Sequence, residues 1–366
     1  MRLTRISAHS FRNLSPDPVF FGFGTTVIAG ENAQGKTNLL EAVALVCGQR
    51  SFRRARPQEM AAGEEGFRVE ALIARESGSE TLAVEWSPVG GRTFTRSGKE
   101  ISFREASRLA PAVFLSPEHR ELVTGGRAQR RRFLDRLALF CRPTAGEDLG
   151  RFERALSHRN ALLARMQEGS ARGAAGEIEA WTEEFVLAGS AVRRHRREAL
   201  GEWLGFFEPL CREAGAEYAA IRVNYSTEGG SEEDLGAACA RLSSVERRRG
   251  HSLAGPQRDD LLWERGGRAL AATASAGELA RTISLAKLAE WRAVSQAAKE
   301  SPLFGVDEFD AGLSAGWVEA FLATLPPAET VLLTTASEPS RWRHLPGAVL
   351  EMRDGSVAER PRAVND

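Results

Sequence analysis

The sequence predicts an α/β domain that is interrupted by an inserted, mainly helical domain. A short apolar run, Thr26–Ala29, leads into a Gly-rich loop that is followed at once by a helical pattern. The middle of the chain is rich in Ala, Leu, Arg and Glu at helical spacing, and strand patterns return after Gly250. We therefore expect residues 1–117 and 250–366 to form the α/β domain, and residues 118–249 to form the insertion.

Strand patterns dominate the first of these segments. "RLTRISAHSFRNL" alternates at its start, and "TTVIAG" is a short buried strand. "FRVEALIARESGSETLAVEWSPVGGRTFTRSGKEI" indicates an antiparallel meander with turns at Gly78, Gly90–Gly91 and Gly98.

The middle segment indicates a series of helices. "RRRFLDRLALF" and "LGRFERALSHRNALLARMQE" are two examples, and we expect breaks at Pro143, within residues 169–176 and at Pro209. In the last segment "ASAGELARTISLAKLAEWRAVSQAAKE" predicts a long helix, and "SPLFGVDEF" and "ETVLLTTAS" predict strands.

Length and composition exclude several classes of protein. The 366 residues suffice for two domains, and the net charge of +0 means that any affinity for nucleic acid must come from local patches. The four cysteines show no C-x-x-C spacing and suggest neither a disulfide framework nor a zinc site. No apolar stretch approaches the roughly twenty residues of a membrane span. We expect a soluble cytoplasmic protein that does not associate with membranes.

The loop from Gly30 to Thr37 fits the pattern G-x-x-x-x-G-K-[ST], which holds the phosphates of ATP or GTP. Glycine lets successive backbone N–H groups face inward, beside the positive end of the following helix. Lys36 would face the β- and γ-phosphates, and the Thr37 hydroxyl would bind Mg²⁺. The alternative is a Gly-rich turn that binds nothing. The residues expected to bind ATP are Gly30, Glu31, Asn32, Ala33, Gln34, Gly35, Lys36, Thr37 and Asn38.

An acidic pair follows the apolar segment 303–306. Ligands bind at the carboxyl ends of strands in open α/β sheets, and Asp307 and Glu308 occupy such an end. We expect Asp307 to hold Mg²⁺, directly or through water, and Glu308 to orient the attacking water or accept its proton. With Lys36 they are the expected catalytic residues. The alternative is an ordinary exposed acidic pair.

The residues Ser275, Ala276, Gly277 and Glu278 precede the long helix of the last segment. One interpretation is a capped helix, with Ser275 as N-cap and Glu278 completing a capping box. The other is an ABC-type signature, whose helix N-terminus faces a γ-phosphate bound to the second subunit of a dimer. Its position between the glycine loop and the acidic pair favours the signature. The predicted fold is then an ABC-type (P-loop) ATPase head with an inserted, mainly helical arm domain.

Five segments together resemble the RecF family, bacterial recombination mediators of the SMC and ABC-ATPase group. They are "HSFRNL" (9–14), "GENAQGKTNLLEA" (30–42), "SFRRARPQEM" (51–60), "FLSPEHRELVTGGRAQRRRFLD" (114–135) and "GPQRDDL" (255–261). The last two are the most specific, since generic ABC proteins do not carry them. The resemblance covers most of the chain.

The resemblance implies a weak, DNA-dependent ATPase that uses ATP and Mg²⁺ and dimerises on ATP. Such a protein would bind duplex DNA near gaps without sequence preference, and with RecO and RecR would help load RecA.

The chain departs from the family pattern at several places. The signature Ser275–Arg281 stands where Ser-x-Gly-Gln-Gln-Arg is usual, and Asp307-Glu308 stands where the family has Asp-Asp. The D-loop is Gly312-Leu313-Ser314 and not Glu-Leu-Asp, and Gln257 replaces a His. Thr334-Thr335 follow a strand after which many ABC ATPases have a His. These differences bear on hydrolysis and D-loop signalling more than on nucleotide binding.

Four arginine clusters could contact DNA phosphates, which provide most non-specific affinity. They are Arg50/Arg53/Arg54/Arg56, Arg127/Arg130/Arg131/Arg132, Arg193/Arg194/Arg196/Arg197 and Arg247/Arg248/Arg249. The candidate DNA contacts are Arg53, Arg54, Arg56, Arg130, Arg131 and Arg132. The alternative for each cluster is a solvated helix face balanced by nearby Glu. No aromatic-rich stacking platform is present, which favours duplex over single-stranded DNA.

Two other functions remain open at this point. An SMC-like structural head would need a long coiled coil with sustained heptads, which the broken helical middle segment does not supply. Another ABC-type ATP-binding subunit, such as that of a transporter, would lack the Arg-rich blocks and have a firmer Gln loop and His loop.

Overall fold

The computed structural model describes residues 1–170, 175–227, 234–311, 314–325, 329–342, 344–345 and 347–357. The strands are β1 (Arg2–His9), β2 (Val19–Phe20), β3 (Gly24–Ala29), β4 (Phe67–Arg75), β5 (Gly78–Ser87), β6 (Gly91–Arg96), β7 (Lys99–Ile101), β8 (Ala112–Leu115), β9 (Ile221–Ser226), β10 (Asp260–Arg265), β11 (Arg268–Ala269), β12 (Leu303–Val306), β13 (Thr330–Thr335), β14 (Gly347–Arg353) and β15 (Ser356–Val357). The helices are α1 (Lys36–Val46), α2 (Pro57–Met60), α3 (Phe103–Leu109), α4 (Glu121–Thr124), α5 (Arg127–Cys141), α6 (Ala145–Gln167), α7 (Ala175–Ala214), α8 (Ala216–Ala219), α9 (Leu235–Arg249), α10 (Leu270–Thr273), α11 (Ala276–Ala298) and α12 (Ala315–Thr324).

The chain divides into two compact units. The first comprises Met1–Arg120 and Ala276–Asp366, and the second comprises Glu121–Ser275. An α/β unit interrupted by a mainly helical one was the predicted organisation, and the fold class is confirmed.

A mainly parallel sheet lies at the centre of the first unit, in the order β15-β14-β3-β13-β12-β8. Strands β8, β12 and β13 are buried along their whole length, as is usual when both faces of a parallel sheet are covered. One position shows how closely α1 packs on this sheet. A Cβ added to Gly305 of β12 would lie 2.4 Å from the Phe114 ring and 2.9 Å from Leu40 of α1. Glycine there lets the helix after the glycine loop approach the strand that ends at Asp307.

The second sheet of the first unit is antiparallel, in the order β2-β1-β4-β5-β6-β7. The predicted meander is confirmed as β4–β7. Alternate residues of β4 are buried, which is typical of a strand with one covered face. Helix α1 contacts both this sheet and β13, and nine of its eleven residues are buried. The helix that begins the candidate nucleotide site therefore belongs to the core of the unit.

The second unit combines α4–α10 with the three-stranded sheet β11-β10-β9. Its core includes an aromatic cluster in which Trp203 of α7 stacks on Phe207 at 4.5 Å and meets Trp263 of β10 edge-on at 5.9 Å. Two predicted helix breaks, at Pro143 and between α6 and α7, are confirmed, although residues 171–174 lie outside the described part. The break expected at Pro209 is wrong, since α7 continues through it to Ala214. Phe207, Leu210 and Cys211 around it are buried, and this packing outweighs the lost hydrogen bond.

The unit boundaries fall at other places than the sequence suggested. The prediction assigned residues 250–275 to the α/β domain, whereas they lie in the second unit. The reason is pairing between distant segments, because β10 runs antiparallel to β9 from Asp260↔Ser226 to Arg265↔Ile221. The first boundary lies after Arg120 instead of residue 117.

Within the described residues no helix combines the length and the hydropathy that a bilayer crossing requires.

Candidate nucleotide site

The loop from Gly30 to Gly35 joins β3 to α1, as the sequence predicts. Lys36, the first residue of the helix, is only 6% exposed. Its Nζ donates to the carbonyl oxygens of Gly30 at 2.8 Å and Glu31 at 2.7 Å. Burial lowers the pKa of Lys36, and the carboxylates of Asp307, Glu308 and Asp310 oppose that shift. The ammonium is thus held within the loop, close to a group of carboxylates.

Close packing explains both glycines of the loop. A Cβ on Gly30 would lie 2.4 Å from the carbonyl oxygen of Met352, and one on Gly35 would lie 3.0 Å from Oδ1 of Asn13. Gly35 also has a left-handed φ of 104°. Helix α1 then begins without a side-chain cap and without an acidic residue in its first turn. An uncapped helix start has N–H groups that can accept an anion, so the loop fits a phosphate.

Asp307 follows β12 directly and meets the first turn of α1. Thr37 Oγ1 donates to Asp307 Oδ1 at 2.9 Å, across 270 residues of sequence. Thr334 Oγ1 donates to the same oxygen at 2.6 Å. Burial raises the pKa of Asp307, whereas the two hydroxyl donors lower it. The strand of Asp307 is not the direct neighbour of β3, since β13 lies between them and supplies Thr334.

Hydroxyl and carboxylate oxygens are ligands that Mg²⁺ prefers, so Thr37 and Asp307 fit this ion. The described residues contain no group of three or more His, Cys, Asp or Glu side chains arranged to hold a metal. Mg²⁺ commonly binds through one or two protein oxygens together with phosphate oxygens and water, so two protein ligands suffice.

Glu308 has an unusual backbone conformation for a residue with a side chain. Its φ is 50°, and its N–H donates to Thr334 Oγ1 at 2.8 Å. The side chain is exposed, in contrast to that of Asp307. Non-glycine residues with such strained angles cost about 1–3 kcal/mol and cluster at functional sites. The geometry thus separates a buried carboxylate, suited to a metal, from an exposed one that water can reach.

The segment "HSFRNL" supports the loop in a way that the sequence did not reveal. Asn13 Nδ2 donates to the carbonyl oxygen of Ala33 at 3.2 Å, and its Oδ1 accepts from Asn38 Nδ2 at 2.7 Å. Arg12 pairs with Glu41 of α1 at 3.0 Å, and that carboxylate is fully buried. Ser51 Oγ also donates to Glu41. These residues fix the loop and its helix from one side.

Arg53 was predicted to contact DNA, and the structure places it at the first turn of α1, directly after the glycine loop. Its Nη1 donates to Asn38 Oδ1 at 2.8 Å. The guanidinium is also near enough to Asp307 to lower the pKa of that carboxylate slightly. Arg53 is exposed, so a ligand can reach its side chain. Its position suits a contact with a phosphate in the nucleotide site.

Comparisons with known proteins agree with this architecture. Residues 5–124 match the protein family described as an AAA domain. The DNA replication and repair protein RecF of Heliobacterium modesticaldum is 32% identical over 323 residues, covering 84% of this chain and 85% of the relative. The protein of the same name from Deinococcus radiodurans is 32% identical over 357 residues, covering 96% and 94%.

The chain belongs to the RecF family.

Solved structures show the same fold. The recombination mediator protein RecF with ATP, from the RecFOR pathway, has a TM-score of 0.88 and 24% identity, with 97% of this chain and 96% of that chain covered. The Smc head bound to the C-winged helix domain of ScpA has a TM-score of 0.52 and 15% identity, with 99% of each chain covered. The fold is therefore the ABC-type head of the RecF and SMC proteins, with a mainly helical insertion.

The two segments most specific to the RecF family meet in the core of the second unit. Asp259 accepts two hydrogen bonds from Arg193, at 3.0 and 2.7 Å, and one from the Tyr225 hydroxyl. Asp260 accepts two from Arg130, at 2.6 and 3.0 Å. Two adjacent carboxylates, Asp259 and Asp260, thus bind two helices, α7 and α5. This part of the family resemblance has a structural explanation.

The same pairs change the interpretation of the arginine clusters. Arg130 is bound to Asp260, and Arg131 Nη1 donates to the Asp259 carbonyl oxygen at 3.2 Å. These two candidate DNA contacts are thus engaged within their own unit, because paired guanidiniums would have to exchange partners to bind phosphate. Arg132 is exposed, as are Arg54 and Arg56. These three stay predictions.

The signature residues lie where the sequence placed the start of the long helix. Ser275 is exposed and precedes α11, and Ala276, Gly277 and Glu278 form its first turn. Of the predicted D-loop, Gly312 and Leu313 lie outside the described residues, and Ser314 precedes α12. The signature role of these positions stays a prediction.

Proposed function

We propose that this RecF-family chain is an ATP-dependent DNA-binding protein of recombinational repair, with weak DNA-dependent ATPase activity that serves as a switch. The names of the relatives, DNA replication and repair protein RecF, support the process. Because these names describe a protein of DNA repair, the chain acts in the cytoplasm.

One observation carries the ATPase proposal, namely the 2.9 Å hydrogen bond between Thr37 and Asp307. It joins the glycine loop to the acidic strand end that the sequence predicts as its partner. Residues 30–38 bind the phosphates through backbone N–H groups, the start of α1 and Lys36. Thr37 and Asp307 hold Mg²⁺, which would neutralise charge on the phosphate oxygens. Glu308 orients the attacking water or accepts its proton.

The signature residues act in a dimer. The positive end of α11, with Ser275, Ala276, Gly277 and Glu278 at its start, stabilises an anion only when one lies opposite. A γ-phosphate bound to a second copy of the chain is that anion. ATP therefore drives dimerisation, and ADP does not.

The ATP-bound dimer binds duplex DNA without sequence preference, and acts with RecR, RecO and indirectly RecA. One solved structure of similar fold is the recombination mediator protein RecF with ATP in the RecFOR pathway, and its name supports both the nucleotide and the partners. The chain has a net charge of +0, so its affinity for DNA must come from local patches of positive charge. Exposed arginines form these patches and contact the phosphates.

Gel-shift binding to a duplex, with and without ATP, tests the proposal when Lys36→Ala is compared with wild type. Lys99→Ala is the matched control, because Lys99 is an exposed lysine on β7. We expect Lys36→Ala to lose ATP binding in a filter assay and ATP-dependent DNA binding in the gel. Lys99→Ala should keep its ATP binding. Equal ATP binding by Lys36→Ala and wild type would refute the nucleotide site.

A further inference from the structure

Arg92 occupies a position where an apolar residue is expected. It lies on β6, two residues before the buried Phe94, so both side chains share one face of the strand. Phe94 packs against Phe103 of α3 at 5.7 Å, which marks this as the covered face of the sheet. Opposite Arg92 on β5 stands Trp86. Arg92 is half-buried, and its Nε is buried without a hydrogen-bond partner.

A second arginine, Arg50, follows the end of α1 and is exposed. The backbone at Gly48 rests on α3, since a Cβ there would lie 2.4 Å from the N atom of Ser107. Helix α3 therefore lies against both the chain that leads to Arg50 and the strand that carries Arg92. Burial lowers the pKa of Arg92, and the positive charge of Arg50 lowers it further.

Arg96 on the same strand provides a contrast. It shares the face of Arg92 on the other side of Phe94, and it pairs with Glu80 at 2.5 Å. Neither Arg50 nor Arg92 has a carboxylate within 4.0 Å among the described residues. Two positive charges that are near enough to repel each other, one of them partly desolvated, disfavour the folded state unless an anion lies beside them.

We propose that Arg50 and Arg92 form a phosphate-binding site for the backbone of duplex DNA on the first unit. The site rests on the proposed DNA-binding function. It combines Arg50, a member of one of the arginine clusters, with Arg92, which belongs to none of them. Arg104 on α3 is also exposed, and Glu105 is the one acidic residue of that helix. A repeating polyanion suits several guanidiniums on neighbouring elements better than a single small anion does.

The test measures binding of the full-length chain to a fluorescent duplex of mixed sequence, with a slowly hydrolysed ATP analogue, over a series of salt concentrations. The variants are Arg50→Gln, Arg92→Gln and the double variant, and Arg96→Gln is the matched control. Each lost phosphate contact lowers the slope of log K against log salt by about one, which is about eightfold in affinity at 0.1 M salt. We expect each single variant to lower the slope by about one and the affinity by about eightfold, and the double variant to lower the slope by about two. Arg96→Gln should bind like wild type.

A second measurement separates a DNA contact from a structural role. Arg92→Glu places a carboxylate beside Arg50, so its thermal midpoint without DNA should equal or exceed that of wild type while its DNA affinity falls. A lower midpoint would mean that Arg92 stabilises the fold, and would overturn the inference.

The remaining outcomes are distinct. If wild type binds duplex DNA and the glutamine variants keep its salt slope, the site is refuted while the proposed function stands. If the variants lose ATP binding in a filter assay, the pair serves the nucleotide, and the inference is again refuted. If wild type does not bind duplex DNA in any nucleotide state, the proposed function fails as well.

Discussion

Replacing Asp307 by Asn tests the proposed metal site through two effects of opposite sign. The side chain is 6% exposed, and burial raises its pKa above the ordinary value of 3.8. A carboxyl with a raised pKa stabilises the fold below its ordinary pKa, and that stabilisation is lost as the pH rises through the raised value. At neutral pH the buried charge therefore disfavours the folded chain, and Asp307→Asn removes that charge without changing the shape of the side chain.

The hydrogen bonds set the size of the first effect. Thr37 and Thr334 both donate to Oδ1, and the amide oxygen of Asn can accept from both. Asn therefore keeps both hydrogen bonds and loses only the extra strength that the negative charge gives them, roughly 1 kcal/mol. Removing a buried charge stabilises the folded chain and offsets this loss. Without ligand we expect Asp307→Asn to melt at the wild-type temperature or a few degrees above it.

The second effect is the loss of stabilisation by ligand. At a Mg²⁺–ATP concentration of about 100 times Kd, binding stabilises the wild type by about 2.7 kcal/mol. A hundredfold weaker affinity would reduce this to about 0.4 kcal/mol. Differential scanning calorimetry with and without Mg²⁺–ATP measures both effects. Glu308→Gln is the control, which should keep the full ligand shift and slow hydrolysis, because its exposed carboxylate acts on water and not on the metal.

An Asp307→Asn chain that melts well below wild type and keeps the full ligand shift would refute this reasoning, because Asp307 would then be a structural acid. If both variants hydrolyse ATP like wild type, the strand end is not the active site.

Three further predictions concern the surroundings of the site. Gly30→Ala places a Cβ 2.4 Å from the Met352 carbonyl oxygen, so it should destabilise the fold by about 1–3 kcal/mol in a denaturant titration and weaken ATP binding; an unchanged midpoint would contradict the packing described. Arg53→Ala should lower ATPase activity at least tenfold and leave the salt dependence of DNA binding unchanged; a slope reduced by about one would restore Arg53 as a DNA contact. Ser275→Arg should abolish ATP-dependent dimers and hydrolysis while the monomer still binds ATP in a filter assay; a mixture with Lys36→Ala chains could rebuild at most one of the two composite sites. Wild-type hydrolysis by Ser275→Arg would leave Ser275 as the cap of a helix.

The nucleotide loop and the acidic strand end could be predicted because their signals are local. A strand, a glycine loop and a helix follow one another within residues 24–46, and Asp307 follows its own strand directly. The contact between Thr37 and Asp307 then follows from the packing of α1 on β12. Sequence patterns suffice where each step depends on neighbouring residues.

Contacts between distant segments could not be predicted in this way. Thr334 looked like a departure from the ABC pattern, and only the order of the strands shows that it binds Asp307. Arg53 and Arg130 looked alike as members of basic clusters, yet one reaches Asn38 and the other is paired with Asp260. Charge counts along a chain carry no information on which arginine finds a carboxylate in the folded protein.

The same limit explains the misplaced elements. Residues 250–275 show strand patterns that resemble those of the α/β domain, but their partner strand is β9 of the second unit. Pro209 disfavours a helix locally, whereas the buried aromatic cluster around Trp203 stabilises α7 as a whole. In both cases packing over long sequence separations decides the outcome.

The central claim is that ATP completes a site between two copies of the chain. Light scattering of wild-type protein with ATP, ADP and a slowly hydrolysed ATP analogue tests this claim most directly. The chain has a mass of 39.9 kDa. We predict a particle of about twice that mass with ATP or the analogue, and a monomer with ADP, because ADP provides no γ-phosphate for the start of α11. A monomer under all three conditions at tens of micromolar protein, roughly the affinity of a transient interface, would contradict the claim.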